Sequence, residues 1–329
     1  MGRLTSTFEV DVTQAVPIPG HHEVRGVVVA PSGPTPPGSR ALVWCCLPGG
    51  NCTSSYFDLH VDGDDTSSYS MAAHLADAGH TVLALDHLGT GASSTVEDRF
   101  LLTPEVLAIA SHATFAALLQ QLQEGSLVPG LEPMAAPVPI GLGHSMGAMI
   151  TIIEQARYGD YAGVVNLGGG GAGLPQHLLN PDWVTWDLPR LRNSLVELAR
   201  QQFSGTPARD RGRPGIFHAA DVPAPVLDAF RSQLTTSLPS SALASILPAF
   251  SNLERGEISV PLFLGFGEHD LSQVPHESVP HFRSSRDITL FLLAGSGHCH
   301  NQAGSRRLLW DRMMEWARSI PLGPHRATD

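Results

Sequence analysis

Residues 142–148, LGHSMGA, decide how the rest of the chain is read. They set a serine between two glycines directly after the apolar run Val138-Pro139-Ile140-Gly141. Glycines at that spacing can mark no more than a tight turn. They can also mark a reactive hydroxyl held on a bend too sharp for bulkier neighbours. A chain with 33 glycines meets a G-x-S-x-G spacing by chance often enough that the flanks must discriminate. The spacing carries chemistry where a strand runs into it and a helix leaves it.

Both flanks fit that requirement. Residues 138–142 read as a buried strand and 146–158 as a helix. Further out, short apolar runs alternate with helical patterns, which predicts a largely parallel α/β sheet. Strands are expected near 8–12, 23–30, 41–47, 81–86, 163–167, 261–266 and 288–293. The run ALVWCCL at 41–47 has the unbroken apolar character of a strand covered on both faces. Helices are expected at 69–78, at 104–124 behind an N-cap Thr103 and Pro104, near 276–283, and at 302–318. From 173 to 256 the strand pattern lapses. Helical stretches replace it, as where Leu191, Leu195, Leu198 and Phe203 keep near-helical spacing. The expected division is therefore a sheet domain in two parts, 1–172 and 257–329, around a helical insertion at 173–256.

Composition narrows the chemistry. Every one of the 20 basic residues is arginine, and the absence of lysine excludes Schiff bases, a pyridoxal-phosphate lysine and a P-loop lysine. A net charge of −11 argues against a nucleic-acid or anionic-membrane partner. The first residues, MGRLTSTFEVDV, lack the apolar core of a secretory signal, and no run is long enough to span a bilayer. Cys45, Cys46, Cys52 and Cys299 show no zinc-type spacing, and neighbours 45 and 46 face opposite ways on a strand. The expectation is a reduced, cytoplasmic protein without a membrane span.

A serine hydroxyl attacks only when a base takes its proton, and the base must be oriented by a third group. Two later loops supply such groups. Gly267-Glu268-His269-Asp270 follows the strand PLFLGF, and Gly295-Ser296-Gly297-His298-Cys299-His300 follows the last strand. Asp270 is the favoured acid over Glu268 and Asp86, and His298 the favoured base over His300. His298-x-His300 is not read as a metal pair, because no glutamate-bearing zinc motif accompanies it. The acidic run His60-Val61-Asp62-Gly63-Asp64-Asp65 lacks a twelve-residue calcium loop and its closing glutamate, so a solvated loop is expected.

With these residues in view, the chain resembles the α/β-hydrolase superfamily over about residues 20–170 and 257–320. GHSMG resembles the nucleophile elbow, GEHD the acid loop and GSGH the histidine loop; DHLGTGAS at 86–93 resembles the loop after the fourth strand. The resemblance implies a mostly parallel central sheet flanked by helices, with the insertion as a cap. It further implies Ser145 as nucleophile, His298 as general base and acid, Asp270 as orienting carboxylate, and no cofactor. Many members carry His-Gly after the third strand, where this chain has Leu47-Pro48-Gly49-Gly50-Asn51. The oxyanion donors are then expected from the backbone of Gly50 or Asn51 together with Met146. His144, Trp183 and Trp186 are expected to line the pocket.

The function expected is hydrolysis of a carboxylic ester or lactone, with a small molecule bearing an acyl carbonyl as substrate. An acyltransferase, a carbon–carbon bond hydrolase and an amidase share the fold. A non-catalytic binding protein using the capped pocket is the rival of another class.

Overall fold

The computed structural model describes residues 2–33, 40–63, 68–203, 217–218, 221–271 and 274–321. Eight strands form its main sheet: β1 (Arg3–Asp11), β2 (Glu23–Pro31), β3 (Leu42–Leu47), β4 (Thr81–Leu85), β5 (Val138–His144), β6 (Gly163–Leu167), β7 (Leu262–Gly267) and β8 (Ile288–Leu293). Their order is β1-β2-β4-β3-β5-β6-β7-β8. β2 pairs antiparallel with β1 and β4, and every pair from β4 to β8 is parallel.

The burial of each strand follows its place in that order. β3, β5, β6 and β7 are buried at every residue, as expected for parallel strands covered on both faces. β1 alternates exposed and covered positions at the sheet edge. It starts at Arg3, five residues before the expected Phe8, because the ladder with β2 continues to the Arg3–Pro31 pair. Strict alternation along β3 sends Val43, Cys45 and Leu47 into one core and Leu42, Trp44 and Cys46 into the other. Each such side chain contributes about 1.5–3 kcal/mol on burial.

Helices cover both faces. α2 (Pro104–Glu124) and α3 (Met146–Tyr158) pack with the first core, α1 (Met71–Asp77) and α8 (Arg306–Ser319) with the second. α2 begins as read, with Thr103 accepting from the Val106 N–H, and ends on Gly125 in the left-handed region at φ 71°. Three other boundaries differ from expectation, each for a local reason. α1 starts at Met71 because the Ser70 hydroxyl caps the Ala73 N–H, leaving Tyr69–Ser70 extended and paired with Asp58–Leu59. The helix expected near 276–283 is a 3-10 turn, Pro275–His281, with Pro280 inside it unable to donate. The last helix starts at Arg306, after a separate turn over His300–Gln302.

Between β6 and β7 the described residues form no strand. They form α4 (Leu188–Phe203), α5 (Ala224–Ser232), α6 (Pro239–Ile246) and α7 (Asn252–Glu257). α4 buries Leu191, Leu195 and Leu198, the stripe its sequence spacing predicts. The arginine-rich linker SGTPARDRGRPG and residues 64 and 65 of the acidic run lie outside the described residues. No helix is long and apolar enough to cross a membrane among those described.

Candidate active site

The C-terminal ends of the parallel strands carry the loops singled out in the sequence. β5 passes into α3 through one residue, Ser145, at φ 55° and ψ −117°. A side chain held at positive φ stores on the order of 1–3 kcal/mol of strain, so its surroundings must over-determine it. They do so through the glycines on either side. A Cβ at Gly143 would overlap the Gly147 carbonyl and the Ala148 backbone, and one at Gly147 would overlap the Leu47 and Pro48 carbonyls. The Ser145 N–H donates to Leu167 O at 2.8 Å, tying the bend to β6. The Thr151 hydroxyl holds the Gly147 carbonyl at 2.9 Å.

The Asp270 and His298 loops meet beside this bend. His298 Nδ1 donates to Asp270 Oδ1 at 2.6 Å, while His300 Nε2 donates to Oδ2 at 3.0 Å. The Gly267 N–H adds a third bond to Oδ2 at 3.1 Å. Burial alone would raise the Asp270 pKa, but the two imidazoles and their hydrogen bonds hold it well below the usual carboxylate range. An ionised carboxylate only accepts, so His298 carries its proton on Nδ1. Its buried Nε2 has no hydrogen-bond partner among the described residues. The other acids considered are engaged elsewhere. Glu268 clamps the Gly295 N–H at 2.9 Å, and Asp86 accepts from the Ser54 and Ala92 N–H groups, both at 2.7 Å.

His144 buttresses the histidine loop. Its Nε2 donates to the His298 carbonyl at 2.9 Å, and its ring stacks on Tyr56 with centroids 4.2 Å apart. Burial, then the neighbouring imidazoles, pushes its pKa well below the ordinary value, so it stays neutral.

Two cavities share Ser145 and His298. One reaches the Gly49–Cys52 loop and includes Gly50, Asn51, Met146 and His144 in its wall. Met146 opens α3, where backbone N–H groups have no acceptor within the helix. Asn51 sits at φ 64°, and both its backbone carbonyl and its side-chain amide bond Thr235, at 2.9 and 3.1 Å. The other cavity runs along Gly168–Gly171 to Phe250 and Arg255.

Trp183 and Trp186 border neither cavity. Trp183 is 2% exposed within the first core, and Trp186 packs beneath the Arg190 guanidinium, 3.5 Å from the ring centroid. Aromatic composition marks burial, and here the packing used it for the helices themselves. Phe217 and Phe230 from the same segment do reach the cavities. Sequence reasoning also missed His300 as a second donor to Asp270, and Arg255 altogether. A second histidine two residues after the first was the only signal for His300; nothing separated Arg255 from its seven neighbouring arginines.

A family model described as the alpha/beta hydrolase family matches residues 46–309. No curated protein matches by sequence. Among solved structures, a thermophilic esterase from Thermogutta terrifontis is similar at 18% identity and TM-score 0.57, over 95% of this chain and 99% of its own. A monoacylglycerol lipase from Paleococcus ferrophilus is similar at 18% identity and TM-score 0.57, over 98% of this chain and 100% of its own. A proline iminopeptidase from Mycobacterium smegmatis is similar at 16% identity and TM-score 0.54, over 94% and 98%. At these identities the likeness is one of fold.

Proposed function

The chain belongs to the alpha/beta hydrolase family, and from that premise we propose that it is a serine hydrolase cleaving a carboxylic ester or lactone through an acyl-enzyme on Ser145. The observation that carries this reading is the His298–Asp270 pair at 2.6 Å, whose unpartnered Nε2 borders the same cavities as the strained serine. Asp270 thus orients the His298 ring and leaves its Nε2 free for a proton from Ser145, which lines the same cavities.

In the first half-reaction Ser145 Oγ bonds to the carbonyl carbon as its proton passes to His298 Nε2. The carbonyl electron pair moves to oxygen, giving a tetrahedral oxyanion. Collapse breaks the carbon–oxygen bond to the alcohol, which leaves with the proton from Nε2. Water then repeats the sequence. Its proton goes to Nε2, the bond to Oγ breaks, and the serine hydroxyl is restored with release of the acid. Asp270 does not change protonation; it holds the Nδ1–H and stabilises the imidazolium.

The oxyanion falls to the Met146 N–H and to a backbone N–H of Gly50 or Asn51. One such donor contributes about 2.7–4 kcal/mol to the transition state. The described helices between β6 and β7 act as a cap that excludes water, with Phe217 and Phe230 as apolar contacts to the reacting centre. Turnover of a p-nitrophenyl acyl ester series tests the reading. The wild type is expected to release p-nitrophenol with turnover lost in His298→Ala; equal rates in the two proteins would refute it.

A further inference from the structure

Among the described arginines of the segment between β6 and β7, Arg255 alone is buried, its guanidinium carbon 5.2 Å from the Phe282 ring centroid. Arg190 packs on Trp186, Arg192 pairs with Glu254, Arg200 with Asp98 and Arg231 with Asp228. Arg255 is 1% exposed, and no carboxylate among the described residues lies within ion-pair distance of it. Its Nε donates to Ser251 Oγ at 3.2 Å and its Nη2 to Gly169 O at 2.8 Å. Nη1 has no hydrogen-bond partner among the described residues. Burial lowers its pKa only to about 10, so the guanidinium is charged at neutral pH.

Holding Ser251 and Gly169 explains two of the three nitrogens. It does not explain a full buried charge without a counter-charge, a costly placement that a neutral amide would avoid. The position suggests the missing partner. Arg255 borders the cavity along the glycine run together with Ser145 and His298. A Cβ at Gly171 would stand 3.0 Å from the guanidinium carbon, so a larger residue there would crowd the charged group. Leu174, Ile246, Leu247, Phe250 and Leu271 make the neighbouring wall apolar. Such a wall with one donor edge suits a planar monoanion on a short carbon chain better than a multiply charged phosphate.

We propose that the substrate is an ester bearing a second, free carboxylate, which the Nη1 edge of Arg255 receives. This rests on the serine-hydrolase reading and adds specificity to it. The reacting carbonyl faces the Gly50–Asn51 side, and the carboxylate arm extends along the glycine run.

Matched ester pairs test the assignment. Monoethyl glutarate carries the charge on the acyl arm and O-butyryl glycolate on the alcohol arm; ethyl pentanoate and ethyl butyrate are the neutral counterparts. The wild type is expected to favour at least one charged ester by roughly 10- to 100-fold in kcat/KM, mainly through KM. Arg255→Met should bring that ratio toward one, and Arg255→Lys should retain part of it. Titration calorimetry on the wild type, with glutarate against glutaramide, reads the same contact without turnover or a variant that must fold. Glutarate alone is expected to bind. Neutral esters preferred over both charged ones, with no glutarate binding, would overturn the proposal while leaving ester hydrolysis standing. If no ester is cleaved at all, the hydrolase reading fails and glutarate binding still decides whether Arg255 receives a carboxylate.

Discussion

Asp270 accepts the Nδ1–H of His298 at 2.6 Å, from a position where its side chain is wholly buried. That bond sets the tautomer and leaves Nε2 bare. Asp270→Asn should therefore fold, yet lose the fixed tautomer, because a carboxamide can also present N–H to the ring. The expected fall in kcat is about 10⁴-fold, the scale known for such a change in a serine protease. Steady-state kinetics beside thermal melting checks it, and a loss under tenfold would remove Asp270 from its orienting role.

His300 gives Asp270 its second side-chain hydrogen bond, at 3.0 Å. Replacing it with phenylalanine leaves Oδ2 with only the Gly267 N–H. An unmet bond to a buried charge costs about 1–3 kcal/mol, so kcat is expected to fall about tenfold, less than for His298→Ala. His300→Gln, which can still donate, should recover part of the loss. A phenylalanine variant with wild-type kcat would assign His300 to packing alone.

Ser145 is strained at φ 55°, and glycine accepts that conformation freely. Ser145→Gly is expected to be inactive and more stable, by about 1 kcal/mol. Urea unfolding of the two proteins reads the difference. A less stable variant would mean that the serine side chain contributes more than the bend costs.

Gly147 faces the opposite constraint, since a Cβ there would meet the Leu47 and Pro48 carbonyls. Gly147→Ala must push α3 away from the loop that carries Gly50. Overpacking of this kind costs about 1–3 kcal/mol of stability, and the misplaced oxyanion donors should reduce kcat far more than KM. A rise in KM at constant kcat would contradict the assigned oxyanion geometry.

Glu154 lies on α3 behind the bend, where burial pushes its carboxyl up from the ordinary 4.5 to about 8 despite hydrogen bonds from Tyr161 and Ser111. Its native pKa is raised, so its contribution to stability is complete below pH 4.5 and is lost as pH rises through about 8. In between, the unfolded chain releases the proton while the folded one keeps it, with a slope up to about 1.4 kcal/mol per pH unit. Glu154→Gln should flatten the decline in stability between pH 5 and 8, read as melting temperature against pH. Parallel profiles for the two proteins would show that Glu154 is ionised in the fold.

How much of this could be read from the sequence depends on whether the signal was local. The sheet was legible because strands such as 41–47 and 138–142 carry their burial in their own composition. The bend at Ser145 was legible because a steric demand at 143 and 147 is written as glycine. The meeting of Asp270 with His298 followed from motif order and strand ends. Arg255 was not legible: a guanidinium is identical in solvent and in a cavity wall, and only the folding of α7 against the glycine run buries it. The places of Trp183 and Trp186 were not legible for the same reason, since large aromatics want burial but do not say against what. The start of β1 escaped because Arg3–Thr7 draws its order from the β2 ladder rather than from an apolar face.

The proposed hydrolysis rests on Ser145 acting as a nucleophile activated by His298. Labelling with an alkyl fluorophosphonate, followed by peptide mass mapping, tests it most directly. One adduct, on Ser145, is expected in the folded wild type, none in Ser145→Ala, and strongly slowed labelling in His298→Ala. A folded wild-type protein that takes no label, or a label that persists undiminished in Ser145→Ala, would contradict it.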